Sequence, residues 1–270
     1  MKVIGIGDNV VDQYEHRRIR YPGGNALNFS VYADMLGVTS AYLGIFGNDA
    51  AADHLLRVLA SREIDITHCR QVAGENGYAS LTLQEGERIF LGSNRGGVRQ
   101  TESLSFILEH RDWLADFDII HTSSYSYIDP FLPALAHLSG WLSYDFSDDF
   151  ECDAALALCP YLDFAFFSCA QYSLEETTSL LQAANLAGSR YAVATRGAEG
   201  AMLYDGTRWL HQSPLRVTPV DTLGAGDAFI TAFLLSLHAH RDPTQALSAG
   251  AEFAAKICLV EGAFGEGEAY

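Results

Sequence analysis

The sequence has no long apolar run and no paired cysteines, and its first residues do not predict a leader peptide. No apolar run among its 270 residues approaches the roughly 18 residues that span a bilayer. The first residues lead through a short apolar run to Asp8 without a small-residue cleavage site, so we expect no signal peptide. The five cysteines are scattered, odd in number and without a C-x-x-C pair. This cysteine usage favours reduced thiols in a cytoplasmic protein.

Positive charge is also scarce. The chain has 17 Lys and Arg residues against 34 Asp and Glu residues, a formal net charge of −17, and its only lysines are Lys2 and Lys256. A chain this acidic lacks the basic surface that binding to a phosphate backbone requires, and an anionic membrane surface repels it as well. We therefore expect small-molecule ligands, with neither nucleic acid nor a membrane as a partner.

The composition and the order of short apolar runs predict the fold class. Hydrophobic residues make up 49% and charged residues 19%, which is ample for a buried core. Strands are predicted at 3–6, 119–120, 142–146, 164–167 and 191–195, and helices at 25–36, 49–61, 131–139, 173–187, 226–240 and 244–260. This alternation predicts one α/β domain over residues 1–270, with a central, mostly parallel sheet and helices on both faces. Ligands are expected at the carboxyl ends of its strands.

Two segments interrupt this alternation and predict a small additional sheet. Residues 77–92 have the pattern of a hairpin with its turn at Glu85-Gly86, and residues 12–21 have extended character. A small sheet that stands away from the main one is expected to act as a β lid over a ligand site. The alternative is an ordinary surface hairpin.

Several familiar nucleotide motifs are incomplete. Residues 5–10, Gly-Ile-Gly-Asp-Asn-Val, begin like a dinucleotide fingerprint but lack its third glycine, and they place Asp8 where a pyrophosphate has to approach. This disfavours a dinucleotide oxidoreductase. No Gly-Lys pair occurs, which excludes a Walker A loop, and residues 240–242, His-Arg-Asp, lack the other parts of a protein-kinase catalytic loop.

The strongest chemical signal lies between Asp221 and Asp227, in the sequence Asp-Thr-Leu-Gly-Ala-Gly-Asp. The residues that follow are apolar on nearly every side and predict a buried helix. Gly224, Ala225 and Gly226 in its first turn leave the backbone N–H groups open, which makes an anion site at a helix N-terminus. Asp227 lies beside that site. The alternative is a helix-start aspartate after a glycine-rich loop that serves packing alone.

Phosphoryl transfer explains this pairing. Backbone N–H donors stabilise charge on the equatorial oxygens of the transferred group, and a neighbouring carboxylate accepts the proton of the attacking hydroxyl. The helix N-terminus is expected to lower the pKa of Asp227 and to weaken it as a base. Orientation of the hydroxyl is then its main contribution.

A second glycine-rich stretch, residues 23–28 with the sequence Gly-Gly-Asn-Ala-Leu-Asn, opens another predicted helix. Its two glycines allow close approach to a ligand, and Asn25 and Asn28 lie one helical turn apart. With Asp8 and Asp12, which follow the first strand, these amides predict a site for a ligand rich in hydroxyl groups. The alternative is a turn and a helix cap.

Together these motifs resemble the PfkB, or ribokinase-like, carbohydrate kinases over nearly the whole chain. The match rests on residues 221–227, on Gly-Gly-Asn-x-x-Asn at 23–28, and on Thr-Arg-Gly-Ala-Glu-Gly at 195–200. The resemblance implies a ribokinase-like fold and an ATP-dependent phosphotransferase that acts on a sugar hydroxyl. It implies Asp227 as the catalytic base, the backbone of residues 224–227 as the anion hole, and acceptor contacts from Asp12, Gly24, Asn25 and Asn28.

The resemblance also implies how ATP and a second subunit are bound. It places Thr195, Gly197 and Gly200 near ATP, with the 250–260 helix beside the adenine. It makes the 77–92 hairpin part of a lid through which a homodimer forms.

The expected metal site departs from the family pattern. Many relatives organise Mg²⁺ with an Asn-x-x-Glu motif, and here Ser168 and Gln171 take its two positions. We therefore expect Mg²⁺ to arrive on ATP through water, near these two residues. Some relatives bind K⁺ near the segment that matches Asp221 to Leu223, which makes K⁺ a further candidate cofactor.

Within the family the chain resembles the kinases that phosphorylate the 6-hydroxyl of fructoselysine, in which a fructose is joined to the ε-amine of lysine. The resemblance rests on residues 6–12, 144–148 and 162–166 and on the shared loss of the Asn-x-x-Glu motif. Such a substrate carries a cationic amine, for which Asp8, Asp145 and Asp148 are the candidate carboxylates. Other fructosyl amino acids, a ketose, a nucleoside, or a non-catalytic sugar-binding role are the alternatives.

Overall fold

The structure, a computed structural model, describes residues 1–84 and 87–270. Its strands are β1 (Lys2–Gly7), β2 (Val10–Tyr14), β3 (Ile19–Gly23), β4 (Thr39–Phe46), β5 (Arg70–Gln71), β6 (Gly77–Gln84), β7 (Glu87–Ser93), β8 (Ile119–Ser123), β9 (Trp141–Asp145), β10 (Phe164–Ser168), β11 (Tyr191–Thr195), β12 (Ala201–Tyr204), β13 (Trp209–Gln212) and β14 (Glu268–Ala269). Its helices are α1 (Asn25–Met35), α2 (Ala50–Ser61), α3 (Arg111–Leu114), α4 (Leu132–Leu135), α5 (Cys152–Leu158), α6 (Leu174–Ala187), α7 (Ala225–His240) and α8 (Pro243–Ile257).

The main sheet has the strand order β13-β12-β11-β10-β9-β8-β1-β4-β5. Neighbouring strands from β11 to β5 run parallel, and β12 and β13 are added antiparallel at one edge. The predicted mostly parallel sheet is therefore confirmed. β1 pairs with β4 on one side and with β8 on the other, so the strand order reverses its direction there, and ligands usually bind at such a point.

Helices cover both faces of this sheet, as predicted. Ile4 and Ile6 of β1 pack in the cluster that includes residues of α4, α5 and α6, whereas Val3 packs with α1 and α7. Likewise, Phe167 of β10 belongs to the first cluster and Phe166 to the second. Both faces of these strands are apolar, which explains why they occur in the sequence as continuous apolar runs.

Capping side chains fix where three of the predicted helices begin. Asp49, Ser173 and Asp242 accept hydrogen bonds of 2.9, 3.2 and 2.9 Å from backbone N–H groups in the first turns of α2, α6 and α8. Such caps satisfy donors that have no partner inside the helix. α7 differs because Gly224 occupies its N-cap and supplies no side chain. No helix formed by the described residues is long and apolar enough to cross a membrane.

The second sheet is smaller and has the order β14-β3-β2-β6-β7. It contains the segments predicted as a lid, because β2 and β3 form one antiparallel pair, β6 and β7 form another, and β2 joins β6 in parallel. The predicted turn at Glu85-Gly86 lies outside the described residues. On β7, Phe90 and Leu91 are exposed, at 64% and 55% of their surface.

One predicted helix is shorter in the structure, and one central strand was not predicted. The helix predicted at 131–139 is confined to α4, because Pro130 and Pro133 suit only a helix start and a 3₁₀ turn occupies Asp129–Phe131. β4 escaped prediction although it is buried beyond its first residue. Its small residues, Ser40, Ala41 and Gly44, dilute the apolar pattern that identified the other central strands.

Candidate active site

The loop before α7 and the first turn of that helix form the predicted anion site. Gly224 adopts φ +72°, and a Cβ built on it would lie 2.3 Å from the Tyr32 hydroxyl and 2.7 Å from the Ala263 Cβ. Only glycine fits there, on conformational and steric grounds alike. A Cβ built on Gly226 would instead meet nothing within 4 Å. The helix N-terminus is therefore open to an anionic ligand on the side of Gly226, whereas the Ala225 N–H donates to the Thr222 carbonyl oxygen at 3.3 Å.

Asp227 is buried in this first turn, with 9% of its surface exposed. Its Oδ2 accepts a 2.6 Å hydrogen bond from the side-chain amide of Asn28. Burial above all, and then the nearby charge of Asp145, raises the pKa of Asp227 to about 8, against the opposing effect of the Asn28 bond. The expectation of a lowered pKa was wrong, because burial disfavours the charged form of this carboxyl. A carboxylate with a raised pKa is a stronger proton acceptor.

The two asparagines of α1 each hold one buried carboxylate. The Asn25 side-chain amide donates to Asp145 Oδ2 over 2.7 Å, and the Asn28 amide donates to Asp227 Oδ2. Because the asparagines are three residues apart, their side chains lie on the same face of the helix, about 5–6 Å apart at Cβ. The structure therefore places two acid–amide pairs along one side of α1. We call them the Asn25–Asp145 pair and the Asn28–Asp227 pair.

Asp8 lies at the start of α1, where protein donors surround it. Its carboxylate accepts hydrogen bonds from the backbone N–H groups of Asn25 at 2.7 Å and Ala26 at 3.2 Å. It also accepts from the hydroxyls of Ser123 at 3.0 Å and Ser126 at 2.9 Å. A carboxylate at a helix N-terminus stabilises the helix. Asp8 thus fixes the first turn of α1, and with it the position of the Asn25 side chain.

The two glycines before α1 serve the packing of the chain against itself. Gly24 has φ +107°, and a Cβ on it would lie 2.8 Å from the Asn9 Cα and 2.9 Å from the Asp8 carbonyl oxygen. A Cβ on Gly23 would lie 2.1 Å from Oδ2 of Asp12. Asp12 is itself 7% exposed, on β2 of the second sheet, and its charge contributes to the raised pKa of Asp227. The residues predicted to contact an acceptor thus lie close together.

One polar atom at this site has no hydrogen-bond partner in the described part of the chain. Asn28 is 4% exposed, and its side-chain Oδ1 accepts no hydrogen bond there although it is buried. Such orphaned acceptors are uncommon in folded proteins and call for a donor from elsewhere. A ligand hydroxyl could donate to Oδ1 while it faces the Asp227 carboxylate. The two acceptor groups therefore suit a ligand that carries hydroxyl groups, such as a sugar.

A cavity of about 500 Å³ lies on the other side of the α7 turn, within the size range of small-ligand sites. Gly226 and Ala225 form part of its wall, together with the predicted nucleotide residues Thr195, Gly197 and Gly200. Its remaining wall is mainly apolar and includes Leu215, Val217, Phe229, Ala251, Ala254, Ala255 and Cys258. An apolar wall suits an aromatic base, and an open helix N-terminus suits phosphates, so the cavity fits ATP.

A second cavity of about 400 Å³ shares Ser168 and Ala170 with the first. Gln171 lies on this second cavity, beside Asp148 and Glu176, and is absent from the wall of the first. Within residues 1–84 and 87–270, no group of three or more His, Cys, Asp or Glu side chains could hold a metal ion.

Some contacts at the site were not predicted from the sequence. Ser123, the last residue of β8, and Ser126, in the turn after it, donate to Asp8, but isolated serine hydroxyls give no distinctive signal in the sequence. Tyr14 of the second sheet donates a short hydrogen bond to Asp221, which also accepts from the Gly262 N–H at 3.1 Å. That contact ties β2 to the loop that leads into the anion site, over a sequence separation of 207 residues.

One turn of this protein faces a nucleotide-sized cavity on one side and a pair of buried acids on the other. That arrangement suits an enzyme that passes a phosphoryl group from a nucleotide to a small hydroxyl compound. Comparison with known proteins shows the family to which the chain belongs. Residues 1–266 match the pfkB family of carbohydrate kinases. The chain belongs to that family, so it is an enzyme that phosphorylates a sugar with ATP and a divalent metal.

Two relatives indicate which subgroup of the family the chain resembles. The chain is 45% identical over 271 residues to the fructosamine kinase FrlD of Bacillus subtilis, covering all of this chain and 95% of the relative. It is 35% identical to the fructoselysine 6-kinase of Escherichia coli K12, over 96% of this chain and 98% of that one. The predicted resemblance is confirmed at both levels, the family and the subgroup.

Solved structures support the fold independently of sequence. A fructokinase with bound ATP from Xylella fastidiosa superposes with a TM-score of 0.80 over 97% of this chain and 94% of that chain, at 19% identity. The ribokinase of Thermotoga maritima gives a TM-score of 0.78 at the same identity. The predicted ribokinase-like fold is therefore confirmed.

Proposed function

We propose that this kinase transfers the γ-phosphoryl group of ATP to the 6-hydroxyl of fructoselysine. The observation that carries the proposal is the Asn28–Asp227 pair, a buried carboxylate of raised pKa beside an open helix N-terminus. The names of the two relatives that are most similar among those compared support the acceptor, because one is a fructosamine kinase and the other a fructoselysine 6-kinase.

In this proposal Asp227 accepts the proton of the attacking hydroxyl as that oxygen bonds to the γ-phosphorus. The bond from this phosphorus to the β,γ-bridging oxygen breaks, and ADP leaves. The backbone N–H groups of residues 224–227 stabilise the charge on the transferred group. Asn28 orients both the base and the hydroxyl, since its side-chain nitrogen donates to Asp227 and its Oδ1 accepts no hydrogen bond from the described residues. Asn25, Asp12 and Gly24 complete the acceptor site. Asp8 acts as a positioning residue through its bonds to the start of α1.

Thr195, Gly197 and Gly200 are proposed to bind ATP in the 500 Å³ cavity, with α8 beside the adenine. The divalent metal is proposed to be Mg²⁺, carried on the phosphates through water next to Ser168 and Gln171. K⁺ near Asp221 to Leu223 is a further proposal. Turnover that is unchanged when K⁺ is replaced by tetramethylammonium would remove K⁺ from the scheme.

We further propose that residues 1–270 form one domain and that the second sheet is its lid. We also propose that the enzyme is cytoplasmic and that it binds neither nucleic acid nor a membrane. The exposed Phe90 and Leu91 on β7 support a homodimer formed through that lid. Light scattering should give the mass of two chains, and Phe90→Asp should reduce it to one.

Hydrogen exchange in β6 and β7 should slow when the acceptor binds. An unchanged exchange rate would argue for an ordinary surface hairpin.

The acceptor is tested by ADP release with Mg-ATP against fructoselysine, other fructosyl amino acids, fructose, ribose and adenosine. Turnover on fructoselysine well above the others supports the proposal, and phosphate on the sugar 6-oxygen, shown by nuclear magnetic resonance, establishes the position. Faster turnover on another acceptor rejects fructoselysine and keeps the kinase. Absence of turnover throughout, with ATP bound, would favour a sugar-binding protein that does not transfer phosphate.

A further inference from the structure

Asp145 lies at the carboxyl end of β9, next to the Asn28–Asp227 pair, and the phosphoryl-transfer scheme gives it no part. We infer that Asp145 binds the ammonium group of the acceptor and so selects a sugar that carries an amine over a neutral sugar. The inference rests on the proposed function and deepens it. It assigns one specificity-determining residue to the substrate's positive charge.

The first argument is spacing. Asp145 belongs to the Asn25–Asp145 pair and Asp227 to the Asn28–Asp227 pair, one helical turn apart along α1. That turn sets the two amides about 5–6 Å apart at Cβ. Fructoselysine carries its amine on carbon 1 and its reacting hydroxyl on carbon 6, at opposite ends of the sugar. A sugar whose 6-hydroxyl lies at Asp227 can therefore direct its amine to Asp145.

The second argument is charge. Asp145 is 6% exposed, and among the described residues it forms no ion pair with an Arg or Lys. Its charge also disfavours ionisation of Asp227, and burial together with Asp8 and Asp148 raises the pKa of Asp145 to about 6. Buried carboxylates without a counter-charge are costly. A ligand ammonium would supply that counter-charge and favour ionisation of both acids.

Asn28 supplies an independent sign that a polar ligand belongs here. Its unpartnered Oδ1 is buried in the same row of acids and amides. A neutral cluster of carboxylic acids alone would not require a ligand. An acceptor atom that is buried beside that cluster without a donor does require a ligand, because folded proteins rarely leave such atoms without a hydrogen bond.

The other two candidate carboxylates are less suitable. Asp8 already accepts from two backbone N–H groups and two serine hydroxyls, and it lies within the field of the buried Arg99 guanidinium. Asp148 is exposed and lines the second cavity, on the nucleotide side. Asp145 accepts from the Asn25 amide and from the Ser147 N–H at 2.9 Å. It is the candidate that combines burial and proximity to the base with no Arg or Lys partner among the described residues.

The test compares fructoselysine with its neutral analogue, in which an ether oxygen replaces the amine nitrogen. Calorimetry gives the Kd of each ligand for the wild type, for Asp145→Asn, and for the matched control Asp149→Asn, which removes one exposed carboxylate four residues away. We expect Asp145→Asn to weaken fructoselysine binding at least ~30-fold, the effect of losing a buried charge partner. Binding of the neutral analogue should change less than ~3-fold, and the control should resemble the wild type.

Two outcomes overturn the inference while leaving the proposed function intact. Asp145→Asn could weaken both ligands equally, which would reduce Asp145 to a positioning residue for Asn25. The wild type could bind the neutral analogue as tightly as fructoselysine, and this result needs no variant to fold. Should Asp145→Asn fail to fold, Asp145→Ser provides the same comparison. A wild-type enzyme that phosphorylates no amine-bearing sugar but does phosphorylate another acceptor overturns the proposed function, and this inference with it.

Discussion

Asn28 and Asp227 are 199 residues apart in the chain, and their side chains are joined by a 2.6 Å hydrogen bond. The bond connects the first turn of α1 to the first turn of α7. Each of these turns follows a glycine with positive φ, Gly24 before α1 and Gly224 before α7. Two separate glycine-rich motifs are thus parts of a single site, and its buried carboxylate, the proposed base, is held by the opposite helix.

Replacement of the proposed base should separate chemistry from nucleotide binding. Asp227→Asn should lower kcat by at least ~10²-fold, because it removes proton transfer to a positioned carboxylate. The Kd of ATP should stay close to that of the wild type, since the Asp227 side chain is not part of the nucleotide cavity wall. Steady-state kinetics and calorimetry measure the two quantities. Asp53→Asn, an exposed aspartate in the first turn of α2, is the matched control. Equal loss of ATP affinity and kcat would contradict the role of base.

The rate should depend on pH through the same carboxylate. Because burial and Asp145 raise the pKa of Asp227 to about 8, most of the base is protonated at neutral pH in the free enzyme. We expect kcat/KM for the acceptor to rise as pH increases through that value and then to level off. A profile measured with a fixed excess of Mg-ATP tests this. A rate already level below neutral pH would show that Asp227 ionises at its ordinary value.

Stability should change with pH in the opposite direction. The pKa of Asp227 is about 8 in the folded protein and 3.8 in an ordinary carboxyl, so folding takes up a proton between these values. Its contribution to stability is complete below pH 3.8 and is lost as the pH rises towards about 8. Asp227→Asn should therefore have a higher Tm than the wild type above pH 8, with the difference shrinking in acid. A constant difference across the pH range would assign the effect to packing.

The two glycines of the turn should respond differently to the same substitution. Gly226→Val should keep the wild-type Tm or raise it, because valine has the higher helix propensity and a Cβ there meets open space. Its turnover should fall by about 10²-fold or more, as when one donor of an anion hole is lost, because the valine side chain blocks the approach of the phosphoryl group to the backbone N–H groups. Gly224→Val should lower the Tm, because φ +72° and the neighbouring Tyr32 and Ala263 exclude a side chain. Normal turnover in Gly226→Val would remove the anion hole from that turn.

Local patterns in the sequence predicted the elements that carry the site. The apolar run after Asp227 predicted α7, and the structure confirms that this helix is buried along most of its length. The glycine-rich motifs predicted where α1 and α7 begin. These predictions succeeded because a helix start and a buried helix are set by neighbouring residues.

The sequence could not predict properties that depend on distant residues. The pKa of Asp227 follows from burial and from Asp145, which lies in another part of the chain, so the local expectation had the wrong direction. Asp8, predicted as a ligand contact, also binds the hydroxyls of Ser123 at the end of β8 and of Ser126, which no local pattern around Asp8 reveals. Side chains such as Leu215 that line the nucleotide cavity follow β13, which has no distinctive pattern.

The turn from Gly224 to Asp227 has a stereochemical consequence. Ala225 and Gly226 line the nucleotide cavity, whereas the Asp227 side chain extends towards α1 and the acceptor residues. If the leaving oxygen of ATP and the attacking oxygen of the sugar lie on opposite sides of the phosphorus, the phosphoryl group passes from one to the other in a single in-line step. The handedness of a phosphorus atom made chiral with oxygen isotopes should therefore be inverted in the sugar phosphate. A phosphorylated enzyme intermediate would restore the original handedness through two successive inversions.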